Sequence, residues 1–268
     1  MCPSAIAQDI EGIEQAAYAD TLLAAPAVLL QPPPALMQGA GALWGVVAGI
    51  QEHGWSGFFN QVLGLGLAAP ATETLVDSIL ASHRDAHIPF LVALSPHAQP
   101  DQLPRWLRDR KLVQQYWLAQ CYRTVEPTQA PVTPFDIQRI DAADAMRFVR
   151  IAAIGLPSAL HPWIAALVGR AGWHHYLAYR DGISVAGAAM FIQGGVGYLT
   201  WTGTRPASRR QGAQTALIAH RLHEAGVYKC RAVVAETFEA TRDQPGVSCR
   251  NLVRAGFHVA YYKALYEG

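Results

Sequence analysis

The stretch best suited to chemistry is basic, contains glycine and spans Thr202 to Arg221 (TGTRPASRRQGAQTALIAHR). An apolar segment, predicted to be a strand, runs into a loop with Arg205, Arg209 and Arg210, and a helix is predicted to begin after Gly212. The first N–H groups of a helix have no intrahelical acceptor, and the helix dipole adds positive potential there. A glycine lets a phosphate approach the backbone. The stretch therefore predicts an anion site; a solvated basic turn is the alternative.

These residues resemble the pyrophosphate-binding motif R-x-x-G-x-(G/A) of the GNAT acyltransferases. Arg209 and Gly212 match the motif, whereas Gln214 stands where the family has glycine or alanine. Downstream, Ser248 to Phe257 (SCRNLVRAGF) resembles the last helix of the family, which ends in Gly-Phe. The order of predicted elements over residues 135–266 also follows the GNAT pattern.

The resemblance implies acetyl-CoA as co-substrate, with its pyrophosphate on the helix N-terminus and its pantetheine arm paired along the preceding strand. The acetyl carbonyl would then lie near the splayed backbone of that strand, which supplies an oxyanion donor. No metal is expected. The cofactor-binding residues implied are Thr202, Gly203, Thr204, Arg209, Arg210, Gln211, Gly212, Ala213, Gln214 and Thr215, with Asn251 as a candidate for the pantetheine arm.

The reaction implied is direct acetyl transfer from the thioester to an amine, in a small molecule or a peptide. Many GNAT enzymes place a tyrosine acid four residues before the Gly-Phe glycine, and Leu252 stands there. Ser248 is the candidate acid, because a branch of the family that modifies protein N-termini has a serine at this spacing; a helix N-cap is its alternative role. Glu236 is the candidate base, with a surface charge as its alternative. A non-catalytic acyl-CoA-binding or regulatory module is the rival function.

The composition of the chain excludes several other classes of protein. The 268 residues are 51% hydrophobic and 15% charged, with a net charge of +1, which excludes a disordered chain and a whole-protein basic surface for nucleic acid. The most apolar run, Gly39 to Ile50, is too short to span a membrane. A cytoplasmic protein is expected, and the oligomeric state stays open. The cysteine spacing predicts neither a disulfide framework nor a zinc cluster: Cys2, Cys121, Cys230 and Cys249.

Two proline-rich segments interrupt the chain. Gln31 to Pro34 is one break, and Glu126 to Pro134 (EPTQAPVTP) reads as an interdomain linker. We therefore expect an α/β (α+β) protein with two GNAT-like domains, each a mixed, mostly antiparallel sheet flanked by helices. Residues 1–127 are predicted to be a degenerate GNAT-like α/β domain, and residues 134–268 the acetyltransferase domain with the CoA site.

In the first half, strands are predicted over Ala42 to Ile50 and Gly57 to Leu67, and a helix from Thr72 to about Ala86. In the second half, Asp181-Gly182 predicts a hairpin turn. The predicted strands and helices that carry the site are Gly197 to Thr204, Ala213 to Ala225, Arg231 to Phe238, Val247 to Ala255 and Phe257 to Tyr266.

The first half lacks the arginine-glycine loop. Ala68-Ala69-Pro70-Ala71 occupies the corresponding junction, and proline has no N–H donor, so we expect one CoA per chain. Gly64-Leu65-Gly66 begins a variant of the dinucleotide fingerprint, which would make the protein an oxidoreductase that binds NAD. The favoured explanation is that these two glycines add flexibility at the end of a strand.

Overall fold

A computed structural model describes residues 5–27, 34–48, 50, 56–126 and 129–268. The chain forms two compact units that alternate along the sequence. The first contains Met1–Gln120, Thr237–Gly246 and Val259–Gly268, and the second contains Cys121–Glu236 and Val247–His258. Gln31 to Pro33, most of the first predicted break, lies outside the described residues. So do Pro127 and Thr128 of the predicted linker, and Cys2.

The division of the chain at residues 128–133 stays a prediction. The compact units divide the chain differently from the predicted domains, because the C-terminal segment Val259–Gly268 belongs to the first unit.

The helices and strands are as follows. The helices are α1 (Ala5–Leu23), α2 (Ser56–Phe59), α3 (Glu73–Asp85), α4 (Leu103–Asp109), α5 (Ala145–Ala152), α6 (His161–Ala165), α7 (Ala213–Val227) and α8 (Val247–Arg254). The strands are β1 (Ala35–Gly39), β2 (Ala42–Val46), β3 (Gln61–Leu63), β4 (Leu91–Leu94), β5 (Val113–Thr124), β6 (Asp136–Arg139), β7 (Trp173–Arg180), β8 (Ile183–Gln193), β9 (Val196–Thr204), β10 (Ala232–Glu239) and β11 (His258–Glu267).

The first unit contains a sheet in the order β1-β2-β3-β4-β11. Its pairs are antiparallel except for the parallel pair β3–β4, which α3 connects. The predicted N-terminus of α3 is confirmed: the Thr72 hydroxyl accepts a hydrogen bond from the Leu75 N–H at 3.1 Å. A buried core joins one face of the sheet to α3 and α4.

The predicted strand Gly57 to Leu67 is correct only over Gln61–Leu63. The segment folds as the single-turn helix α2 followed by the short strand β3. Asn60 ends the turn, since its side-chain amide donates to the Ser56 carbonyl (3.0 Å) and its Oδ1 accepts from the Val47 N–H (2.6 Å). A short apolar run is compatible with both a buried helical turn and a buried strand, so hydrophobic periodicity alone could not distinguish the two.

Within the first unit, ion pairs and a hydrogen bond join the last strand, β11, to the first helix, α1. β11 pairs antiparallel with β4. The fully buried Lys263 ammonium contacts the carboxylates of Glu11 (2.7 Å) and Glu14, and the Tyr261 hydroxyl donates to Glu11 (2.8 Å). Charges this deeply buried are stable only when paired, so β11 and α1 depend on each other.

The second unit contains a sheet in the order β10-β9-β8-β7-β6. Its pairs are antiparallel except for the parallel pair β9–β10, which α7 connects. The predicted hairpin turn is confirmed, with Asp181 and Gly182 both at positive φ (51° and 74°). Buried residues of α7, among them Leu217, pack on β7 and β8.

Both units thus have the predicted fold class, a mixed and mostly antiparallel sheet flanked by helices. Within the described residues, no helix combines the length and apolar character needed to cross a bilayer.

Candidate functional site

The candidate site begins where two parallel strands stop pairing. The register between β9 and β10 covers four residue pairs and ends with Leu199 opposite Ala235. β9 then continues to Thr204 and β10 to Glu239. Beyond this point β9 still pairs with β8, but its backbone groups on the β10 side must find other partners, because peptide N–H and C=O groups require hydrogen bonds.

A β-bulge lies on β9 directly after this point. Gly187 of β8 is opposite Gly203, but Ala189 is opposite Thr200, so two residues of β9 oppose one of β8. One of the two is Trp201, which has a φ of 44°. Positive φ is strained for a bulky side chain and persists only where the surroundings impose it. A bulge turns the strand, and here it does so at the predicted pantetheine residues.

Gly203 is required for packing between the sheet and α5. A Cβ at this position would collide with the carbonyl oxygen of Ile151, at the end of α5. Its partner across the sheet, Gly187, is also close to α5, since a Cβ there would lie 3.3 Å from Ala152. Two facing glycines therefore bring α5 against the sheet beside the bulge.

The predicted phosphate loop leads into a 15-residue helix. After a 3₁₀ turn at Pro206–Ser208, Arg210 and Gly212 both have positive φ (62° and 88°). Gly212 is the N-cap of α7, and a Cβ built on it would meet no atom within 4 Å. The backbone at the start of α7 thus borders open space, as close approach of an anion requires.

The arginines of the loop differ in their contacts. Arg209 and Arg210 are exposed beside Gly212. Arg205 departs from the expectation, because its Nε donates to the Ser184 carbonyl on β8 at 2.6 Å. Its side chain is held on the sheet rather than directed at the start of α7.

Arg180, which the sequence did not single out, contacts this loop. Its guanidinium donates to Oε1 of Gln211 at 3.0 Å. Arg180 ends β7, directly before the Asp181-Gly182 turn. Nothing in the local sequence relates Arg180 to Gln211, because the two residues are 31 positions apart.

The last helix, α8, is bonded to the first turn of α7. The Asn251 amide donates to Oε1 of Gln214 at 2.8 Å. Gln214 is the residue at which the loop departs from the family motif, and its longer side chain is used in this contact. Thr215 is exposed, whereas Ala213 is buried in the core with Leu217.

The two predicted catalytic residues lie on different elements of the second unit. Ser248 is exposed in the first turn of α8, and Leu252, where the family has a tyrosine, is buried. Glu236 is half-buried on β10, one residue beyond the last pair with β9. Its Oε2 is buried and has no hydrogen-bond partner among the described residues. A buried carboxylate oxygen without a partner is costly, and a substrate or water at this position would satisfy it.

The corresponding loop of the first unit is closed by the chain itself. The Gln99 N–H donates to the Gly66 carbonyl, and the Ala71 N–H donates to the Gln99 carbonyl, both at 2.8 Å. A Cβ at Gly64 would lie against Gln15, and one at Gly66 against the Gln99 backbone. These glycines are therefore used for tight packing within the first unit.

No set of three histidine, cysteine, aspartate or glutamate side chains is arranged to bind a metal within the described part of the chain.

Comparisons with known proteins identify the fold. No protein-family model matches the chain, and no curated protein matches its sequence. Among solved structures, a GCN5-related N-acetyltransferase from Kribbella flavida has a TM-score of 0.65 at 14% identity, over 96% of this chain and 95% of that one. A second such protein, from Sphaerobacter thermophilus, has a TM-score of 0.62 at 17% identity, over 87% of this chain and 82% of that one.

A tandem GNAT protein from the clavulanic acid biosynthesis pathway matches 100% of this chain and 97% of its own, with a TM-score of 0.59 and 13% identity. This chain therefore has the tandem fold of the GCN5-related N-acetyltransferases, as its sequence motifs predicted.

Proposed function

We propose that this protein is an N-acetyltransferase that uses acetyl-CoA and has one CoA site, in its second unit. The observation that carries the proposal is the succession of features from β9 to α7: the end of pairing with β10 at Leu199, the bulge at Trp201 and the open helix start at Gly212. Together they provide a length of β9 that no longer pairs with β10, to which an amide-containing arm can bind, and the N–H groups of a helix start for a pyrophosphate.

In this proposal, residues 210–215 bind the pyrophosphate, Arg209 and Arg210 add positive charge, and Thr202 to Thr204 bind the pantetheine arm. The amine nitrogen, once deprotonated, attacks the thioester carbonyl carbon and forms the C–N bond. The C–S bond then breaks, and the CoA thiolate leaves with the electron pair. An alkyl amine is mostly protonated at neutral pH, so a base must remove its proton.

Glu236 is the proposed base because its unpartnered Oε2 lies where β9 and β10 stop pairing. Ser248 is the proposed acid for the thiolate. It shares one face of α8 with Asn251 and Leu252, because residues three and four apart lie on the same side of a helix. Asn251 in turn contacts the first turn of α7. The acceptor is an amine of a small molecule or peptide.

Isothermal titration of acetyl-CoA against Gly212→Val tests the binding site. The valine side chain would occupy the open space at the start of α7, so we expect affinity to fall at least about tenfold, as loss of one charge-assisted hydrogen bond alone would cause. Gly169→Val is the matched control: Gly169 is exposed, has the same φ of 88° and has nothing within 4 Å of its Cβ position. Unchanged affinity in folded Gly212→Val would refute the proposed site.

Steady-state acetylation of an accepted amine tests the catalytic roles. Loss of a general acid or base lowers kcat by about 10²–10⁴-fold, and we expect this for Glu236→Gln and Ser248→Ala. The controls are Glu267→Gln, at an exposed carboxylate, and Ser158→Ala, at an exposed serine that begins a 3₁₀ turn. If both site variants keep kcat within threefold, neither residue has the proposed role. CoA binding without turnover of any amine would favour the binding-module alternative.

A further inference from the structure

Arg221, in the middle of α7, is a charged side chain buried in the core of the second unit. It is 1% exposed, and burial lowers its pKa to about 9, against a smaller raising effect of Tyr176. It therefore keeps its positive charge at neutral pH inside the core. A buried charge without a carboxylate partner is unfavourable unless its N–H groups are well satisfied.

The hydrogen bonds of Arg221 lead to the bulge on β9. Its Nε donates to the carbonyl of Leu217, one turn earlier on α7, at 3.0 Å. One terminal nitrogen donates to the carbonyl of Ala189 on β8 at 2.8 Å. Ala189 is the β8 residue at which the register with β9 resumes, opposite Thr200 and next to Trp201 in the bulge. The guanidinium thus connects α7 to the edge of the bulge.

The bulge needs such support. Trp201 at φ 44° is in a region that bulky residues avoid, and the ladder is interrupted beside it. A rigid guanidinium fork bonded to both α7 and β8 fixes the distance between them. Of the two elements that Arg221 joins, α7 begins at the proposed pyrophosphate site, and β8 pairs with β9, which carries the proposed acyl position.

We infer that Arg221 is a positioning residue, which holds the bulge at Trp201 in register with α7 and thereby aligns the β9 backbone with the acetyl carbonyl. The inference rests on the proposed acetyl transfer. It also predicts a particular pattern: losing Arg221 should disturb the bulge and the chemical step but not the binding of CoA, whose pyrophosphate contacts come from the loop before α7.

Arg221→Met is the principal variant, because replacing a buried charged group by an apolar one of similar size is often tolerated or stabilising. Leu217→Met, a volume-conserving change at a fully buried position on the same helix, is its control. The bulge is followed by ¹⁹F NMR of protein labelled with 5-fluorotryptophan, with the Trp201 signal assigned through Trp201→Phe.

We expect Arg221→Met to shift or broaden the Trp201 signal and to lower kcat by about 10–100-fold, as a misplacement of about 1 Å does. The Kd for CoA should stay within twofold, and Leu217→Met should change neither measurement. Arg221→Lys keeps the charge but lacks the fork; it should show the same losses, and it decides the question if the methionine variant does not fold.

An unchanged Trp201 signal in folded Arg221→Met and Arg221→Lys proteins overturns the inference. A shifted signal with kcat within threefold overturns its link to catalysis. If no amine is acetylated even by the wild type, the proposed function fails, while the Trp201 signal still tests whether Arg221 holds the bulge.

Discussion

The Asn251 side-chain amide lies 2.8 Å from Oε1 of Gln214, and this hydrogen bond joins α8 to the first turn of α7. The family motif has glycine or alanine at the position of Gln214, so a residue that departs from the motif is the one that forms the contact. The bond places the helix with the proposed acid beside the helix with the proposed phosphate site.

A double-mutant cycle on the free energy of unfolding measures this contact. Gln214→Ala and Asn251→Ala should show a coupling of about 0.5–1.5 kcal/mol, the net contribution of one neutral hydrogen bond. Val253→Ala replaces Asn251→Ala in the control cycle, since Val253 is exposed on the same helix. We expect additive effects there; additivity in both cycles would contradict the coupling of the helices through this bond.

We expect one acetyl-CoA to bind per chain. In the first unit the loop before α3 is bonded on both sides to the Gln99 backbone, and Pro70 supplies no N–H. Calorimetric titration of the wild type should give a stoichiometry of one, and Gly212→Val should remove that one site without revealing another. A stoichiometry of two would show that the first unit opens to bind the cofactor.

Gly203→Ala should destabilise the second unit, because the new methyl group would collide with the Ile151 carbonyl oxygen. Overpacking of a rigid site costs about 1–3 kcal/mol. Gly197→Ala on the same strand is the control, since its Cβ would meet the flexible Met190 side chain at 3.2 Å. Urea unfolding should show a clearly larger loss for Gly203→Ala; equal losses would mean that α5 moves away at little cost.

Two buried histidines make stability depend on pH. Burial lowers the pKa of His174 to about 4 and that of His175 to about 3. In the unfolded chain both imidazoles become protonated below about pH 6.5. The stability that the two neutral, buried imidazoles contribute is therefore complete above pH 6.5 and is lost as the pH falls toward 4 for His174 and 3 for His175.

His175→Phe tests this dependence, since the ring of His175 lies among Phe148 and Trp173. The slope of unfolding free energy against pH between 6 and 4.5 should decrease by about 1.4 kcal/mol per pH unit. Phe148→Leu removes no titratable group and should displace the curve without changing its slope. An unchanged slope in His175→Phe would mean that the ring is protonated in the folded protein.

The sequence predicted those parts of the fold that local chemistry determines. Asp181-Gly182 requires positive φ in a two-residue turn, and Gly212 requires it at the start of α7, so both could be located in advance. The strand predicted over Gly57 to Leu67 was correct only over Gln61–Leu63, because the contact that ends α2, from Asn60 to Val47, is not local.

For the candidate site, the sequence could predict residues within one continuous segment but not contacts between distant segments. Residues 202–215 form one continuous segment, which the motif covered. Arg205 was assigned to the anion site because arginines in a loop look alike in a sequence, and its partner Ser184 lies on another strand. The bulge at Trp201 has no residue signature, since tryptophan is an unfavourable choice for positive φ.

The pairing of β11 with β4 has a consequence for how the protein is made. Synthesis proceeds from the N-terminus, so the first unit emerges from the ribosome long before the strand that completes it. Until then β4 has an unprotected edge, and the carboxylates of Glu11 and Glu14 lack the Lys263 ammonium. The second unit can complete its β6–β10 sheet earlier. Folding of the nascent chain should therefore finish in the reverse of its order of synthesis, with the N-terminal unit last.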